Sequence, residues 1–68
     1  MTQKQKILAY LDRYDSISPM EAFADLGITK LSTRISEMRK DGLNFTQKMC
    51  ESKNRDGDTV RYARYWRE

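Results

Sequence analysis

The first apolar residues of the chain recur mostly three or four positions apart. They are Ile7, Leu8, Leu11 and Tyr14. This spacing places them on one face of an α-helix and predicts a helix over about residues 2–14. Thr2 can cap its start, because Gln5 stands three positions later, as in a capping box.

The clearest helix start in the chain is Ser18-Pro19-Met20-Glu21. It puts serine at the cap, proline at the first helical position and glutamate at the third. Ile17, just before the cap, can pack against Ala22 or Phe23 as a hydrophobic staple. Gly27 suits the left-handed position that closes a helix, so the pattern predicts a second helix over about residues 19–26.

Only Gly27-Ile28-Thr29 separates this helix from a third apolar stripe, formed by Leu31, Ile35 and Met38. The stripe predicts a helix over about residues 30–41, with basic residues in its last turn, where they complement the helix dipole. Two helices joined by a short glycine turn form either a helix-turn-helix motif or an ordinary helical hairpin of a bundle. The spacing alone leaves both open.

From about residue 44 the pattern changes to one typical of strands. Two runs of strand-favouring residues flank Asp56-Gly57, a strong turn signal, and predict an antiparallel β-hairpin over about residues 44–66. The alternation is too irregular to assign faces to its strands. Three helices followed by a C-terminal hairpin is the order of a winged helix-turn-helix, so we expect one α+β domain over residues 1–68.

The composition limits the classes of protein to which the chain can belong. The chain has 68 residues, of which 38% are hydrophobic and 34% charged, as in a compact domain. No apolar run approaches the roughly 20 residues that span a bilayer, and the first residues do not resemble a signal peptide. Cys50 is the single cysteine and histidine is absent. We therefore expect a cytoplasmic protein without membrane contact, disulfide, metal or other cofactor, and without enzymatic activity.

The charge pattern permits nucleic-acid binding without demanding it. The formal net charge is +3, from 13 basic and 10 acidic residues. Residues 44–68 hold six basic and four acidic groups, so the predicted hairpin region carries most of the excess.

Several stretches resemble a family of small winged-helix domains that is frequent in bacteriophage and prophage genomes. They are residues 18–22, residues 26–28, the segment LSTRISEMRKDG at 31–42, and the tail with NRDG at 54–57 and VRYARY at 60–65. The resemblance covers nearly the whole chain and implies a compact DNA-binding fold encoded by a phage-type gene in a bacterial host. The chain departs from the family at residues 45–50, which leaves the register of the first hairpin strand open.

The third helix carries the candidate site. If its stripe faces inward, the opposite face presents hydroxyls that can approach base edges and cations that reach guanine or phosphate. We expect this helix to lie in the DNA major groove and the hairpin to contact the backbone or minor groove. The candidate DNA-binding residues are Lys30, Thr33, Arg34, Ser36 and Lys40 on the helix and Lys53, Arg55 and Arg61 on the hairpin. Glu37 lies among them and can pair with Lys40 or Arg34.

Two functions from different classes are open. One is double-stranded DNA binding, by a transcriptional regulator or an excision or architectural factor. The other is a protein-interaction module that docks on a host protein and inhibits or redirects it, which the interspersed acidic residues favour. A basic surface spanning helix and hairpin would support the first, and a broken one beside exposed apolar residues the second. A domain of this size covers a short DNA site, so specificity would require dimers or tandem copies, and the oligomeric state stays open.

Overall fold

A computed structural model describes residues 1–68. The elements are α1 (Gln3–Tyr14), β1 (Ser16–Ile17), α2 (Pro19–Leu26), α3 (Leu31–Lys40), β2 (Phe45–Lys53) and β3 (Thr59–Arg67). The strands form one antiparallel sheet in the order β1-β3-β2. The α+β prediction of three helices followed by a hairpin is therefore confirmed, with β1 as an addition. No helix has both the length and the apolar character needed to cross a membrane.

Local sequence sets the bounds of α1 and α2. The Thr2 and Ser18 side chains each accept a hydrogen bond from the backbone N–H three residues later. The side-chain oxygens of Gln5 and Glu21 in turn accept hydrogen bonds from the cap N–H groups, so both predicted capping boxes are present. Gly27 ends α2 at a φ of 70°, the left-handed conformation that favours glycine.

The core lies between the helices and the sheet. Its eleven residues are Ile7, Tyr10, Leu11, Ile17, Ala22, Ile28, Leu31, Ile35, Met38, Phe45 and Tyr65. The stripe predicted for α3 is buried, which confirms its register. Ile17 and Ala22 share this core, whereas Phe23 is 59% exposed. Of the two partners that the sequence offered Ile17, Ala22 is therefore the buried one.

The short strand β1 ties the end of the sheet to the helices. Asp15 takes a left-handed φ of 71°, which ends α1 and releases the chain into β1. Ile17 then pairs with Tyr65 and Ser16 with Trp66. Because side chains alternate along a strand, the buried Ile17 and Tyr65 mark the inner face of the sheet.

The hairpin has a buried base and an exposed end. β2 and β3 pair from Phe45 opposite Arg67 to Lys53 opposite Thr59. Phe45 and Tyr65 are buried at the base. Residues 51–61 are all exposed, so this part of the hairpin extends past the core; we call it the wing.

Candidate nucleic-acid interface

The exposed face of α3 is polar. Thr33, Ser36 and Lys40 lie opposite the buried stripe and are exposed, and Lys30 is exposed at the position that precedes the helix. Neither lysine takes part in any of the four ion pairs of the structure. This face therefore combines two free cations with two small hydroxyls.

Arg34 is less free than the two lysines. Its Nη1 atom lies 3.1 Å from Oε1 of Glu37 on the same helix. Of the two partners that spacing allowed for Glu37, the structure has Arg34 and not Lys40. Both side chains of the pair are half-buried, and Nε of Arg34 has no hydrogen-bond partner. The guanidinium is thus held against the helix.

The tip of the wing is a loop organised by Asn54. Its Oδ1 atom accepts hydrogen bonds from the backbone N–H groups of Asp56 and Asp58, both at 3.0 Å. The backbone of Asn54 donates to the Asp58 carbonyl at 2.9 Å and accepts from Gly57 N–H at 3.1 Å. Gly57 has a φ of 83°, as the predicted turn requires. The sequence pattern identified Asp56-Gly57 as the turn but not the role of Asn54, although asparagine is a residue that stabilises turns through its side chain.

The three candidate cations of the hairpin differ in their partners. Lys53 and Arg55 are exposed and belong to no ion pair. Arg61 faces Glu51 directly across the strands, with Nε 3.0 Å from Oε1. Because this pair is largely exposed, its contribution to stability is small and its arginine can exchange partners.

A polar cluster joins α2 to β3. Nη1 of Arg64 lies 2.8 Å from Oε1 of Glu21 and donates to Oγ of Ser16 at 2.9 Å. The same Glu21 oxygen accepts the Ser18 backbone N–H at 3.0 Å. Burial disfavours the charged guanidinium, but the opposite charge of Glu21 and the neighbouring Tyr62 outweigh it, so the pKa of Arg64 is raised. We call this contact the Glu21–Arg64 link.

The sequence model of a protein family described as "Winged helix-turn-helix domain" matches residues 2–66. The chain belongs to this family. No curated protein and no solved structure matches it significantly. In this winged helix-turn-helix domain, α2 and α3 are the two helices of the motif, so the alternative of an ordinary helical hairpin does not hold. Domains of this family are DNA-binding modules, which supports DNA as the partner.

The winged helix-turn-helix domain places its candidate residues on two elements. Lys30, Thr33, Arg34, Ser36 and Lys40 belong to α3 or directly precede it, and Lys53, Arg55 and Arg61 belong to the wing. Arg39, which flanks the exposed face of α3, has a structural contact instead: its Nη2 donates to the Phe45 carbonyl at 3.3 Å and holds the start of β2.

The same winged helix-turn-helix domain also exposes apolar side chains on α2. Met20 is 73% exposed, and Phe23 follows three positions later. Met20, Val60 and Tyr62 line part of a groove of about 580 Å³ between the start of α2 and the hairpin. Glu21 and Arg64 also line the groove, so these two charges are already paired with each other.

Proposed function

We propose that this domain binds double-stranded DNA, with α3 in the major groove and the wing on the backbone or in the minor groove. One observation carries the proposal: four exposed cations without acidic partners lie on the two elements by which winged helix-turn-helix domains contact DNA. They are Lys30, Lys40, Lys53 and Arg55. Each can neutralise one phosphate and release its counterion.

In this proposal, residues in the middle of α3 contact the base edges. Thr33 and Ser36 lie between the two lysines in sequence and are small enough to approach base edges. Arg34 contacts a base in this proposal only when its pair with Glu37 opens, because that pair holds the guanidinium against the helix. Arg61 can also contact a phosphate, since its exposed ion pair with Glu51 can open and the arginine can bind the phosphate instead.

The biological role that we propose is regulation of phage-type genes, as a transcriptional regulator or as an excision or architectural factor, in the cytoplasm of a bacterial host. Its support is the resemblance of the helices and of the hairpin tail to small phage and prophage domains. Binding rather than catalysis is the proposed activity. A single domain contacts a short site, so we expect dimers or tandem copies on an operator.

The experiment that tests DNA binding is a salt-series titration against a duplex of random sequence. Four phosphate contacts give a slope of log affinity against log salt of about −3.6, so affinity falls roughly 150-fold between about 50 and 200 mM. Lys40→Ala should flatten the slope by about 0.9 and weaken binding evenly across sequences. Lys6→Ala is the matched control, because Lys6 is an exposed lysine of α1, outside both elements.

Specificity is tested separately. Thr33→Ala and Ser36→Ala should change the sequence enriched from a randomised duplex pool while leaving the salt slope unchanged. Absence of binding near 50 mM salt, or equal effects of Lys40→Ala and Lys6→Ala, would reject DNA binding by this face.

A second candidate, docking on a host protein, is favoured by the exposed apolar side chains of α2. Met20 and Phe23 lie three positions apart on one helix, outside the proposed DNA-contacting elements. In this role the domain would show no DNA affinity at low salt. Its host partner would be retained by the wild-type protein and by Lys40→Ala, and lost on Phe23→Ser.

A further inference from the structure

We infer that Glu21 and Arg64 are positioning residues for DNA binding: their ion pair fixes the wing at the angle to α2 and α3 from which Arg55 reaches DNA. This inference rests on the proposed function. The contacts that carry it are those of the Glu21–Arg64 link.

The base of the hairpin is held by buried Phe45 and Tyr65 and by the pairing with β1, but the wing itself makes no such contact. Every residue from 51 to 61 is exposed, so no buried side chain of the wing packs against the helices. Of the four ion pairs, Lys4–Asp41 joins α1 to the end of α3, Arg34–Glu37 lies within α3, and Arg61–Glu51 lies within the hairpin. The Glu21–Arg64 link is the one ion pair that connects the hairpin to a helix.

The Glu21–Arg64 link is less exposed to solvent than the Arg61–Glu51 pair inside the hairpin. The side chains of Arg64 and Glu21 are 24% and 35% exposed, against 72% and 56% for Arg61 and Glu51. Solvent and salt therefore screen the link less than they screen the pair inside the hairpin. Since Arg64 also donates to Ser16, one guanidinium bridges β1 and α2 from its place on β3.

A small change of angle at Arg64 displaces the far end of the hairpin, where Arg55 lies. Arg64 lies five residues after Thr59, the first residue of β3 beyond the loop, a distance of about 17 Å along the strand. A tilt of about 10° at this point moves the strand end by about 3 Å, the length of a hydrogen bond. Loss of the link can thus remove a contact of Arg55 without any change at Arg55 itself.

The test is a double-mutant cycle on random duplex DNA near 50 mM salt. The effect of Arg55→Ala is measured in the wild-type, Glu21→Gln and Glu51→Gln backgrounds. Glutamine at position 21 can still accept the Ser18 N–H, so the capping box survives while the ion pair is lost. Glu51→Gln is the matched control, because it makes the same charge change and breaks the other ion pair of a β3 arginine, inside the hairpin.

We expect Arg55→Ala to weaken binding roughly tenfold in the wild-type and Glu51→Gln backgrounds, as for one phosphate contact at low salt. In Glu21→Gln the same change should weaken binding less than about twofold, because the wing no longer places Arg55 on DNA. Arg64→Gln should behave as Glu21→Gln does, and Arg64→Lys, which keeps the charge, should restore part of the effect. Circular dichroism shows which variants are folded. Either Glu21→Gln or Arg64→Gln, if folded, is sufficient to test the positioning role.

A full effect of Arg55→Ala in the folded Glu21→Gln or Arg64→Gln background overturns the positioning role and leaves DNA binding intact. Absence of DNA binding by the wild-type domain overturns the proposed function itself. The two failures are therefore distinguishable.

Discussion

Replacing Ile35 with alanine tests the register on which the whole interface depends. The Ile35 side chain is 1% exposed and belongs to a core of eleven residues. Truncation removes three buried carbons, worth about 2.4 kcal/mol at about 0.8 kcal/mol per methylene. The cavity that remains brings the expected loss to about 3–4 kcal/mol. A domain of this length has a free energy of unfolding of roughly 3–10 kcal/mol, so the variant loses a large part of it.

Urea unfolding followed by far-ultraviolet circular dichroism measures this loss. The midpoint should fall for Ile35→Ala, with an unchanged slope, and Ile35→Val should lie between, at about 0.5–1.5 kcal/mol. Ser36→Ala is the matched control, because the next residue is exposed and should change stability by less than about 0.5 kcal/mol. An unchanged midpoint for Ile35→Ala would place this side chain on the surface and refute the register of α3, together with the DNA-facing surface derived from it.

Three further predictions concern other parts of the domain. Alanine at both Lys53 and Arg55 should change the free energy of unfolding by well under about 1 kcal/mol in a thermal melt, because both residues are exposed; a double variant that fails to fold would make the wing structural. Gly27→Ala should destabilise by about 1–2 kcal/mol in the same assay, because its φ of 70° is left-handed although an added Cβ meets no atom within 4 Å; an unchanged melt would contradict this backbone conformation. Burial and the 2.8 Å hydrogen bond to Asp25 raise the pKa of Tyr10 to about 12. The folded protein keeps this proton where the unfolded chain, with a pKa near 10, releases it, so stability present below about pH 10 is lost as the pH rises towards 12. Between about pH 9 and pH 11 the urea midpoint of the wild type should fall more than that of Tyr10→Phe, which lacks the titrating hydroxyl. An equal fall in both proteins would contradict the assignment.

Features that depend on neighbouring residues were predictable from the sequence. The capping boxes at Thr2 and Ser18 follow from residues three positions apart, and Gly27 ends α2 because of its own backbone freedom. The buried stripe of α3 follows from a repeat within one helix. Each of these signals is complete within a few residues of the chain.

Features that depend on distant residues were not predictable. β1 has two residues, too few for a periodic pattern, and it exists because Ile17 pairs with Tyr65. The strand faces were obscure because the exposed wing has no buried side to impose alternation. The pairing of Arg61 with Glu51 depends on the hairpin register, which the irregular stretch around Met49-Cys50 left open. The placement of the candidate residues on α3 and the hairpin was therefore predictable, but not which of their cations are free and which are paired.

The exposed wing gives the two halves of the proposed interface different hydrogen-exchange behaviour. Amides of α3 around Ile35 should exchange only when the whole domain unfolds, since that helix is packed on the core, whereas wing amides should exchange through local opening with the core intact. The N–H groups of Asp56, Gly57 and Asp58 all donate to Asn54, so the closed form of the tip has a defined shape. Because bound DNA stabilises the folded domain, it should slow exchange in α3 by lowering the population of the unfolded state, and in the wing by suppressing local opening. The helix then acts as a rigid template, and the wing is the part that tightens when DNA is bound.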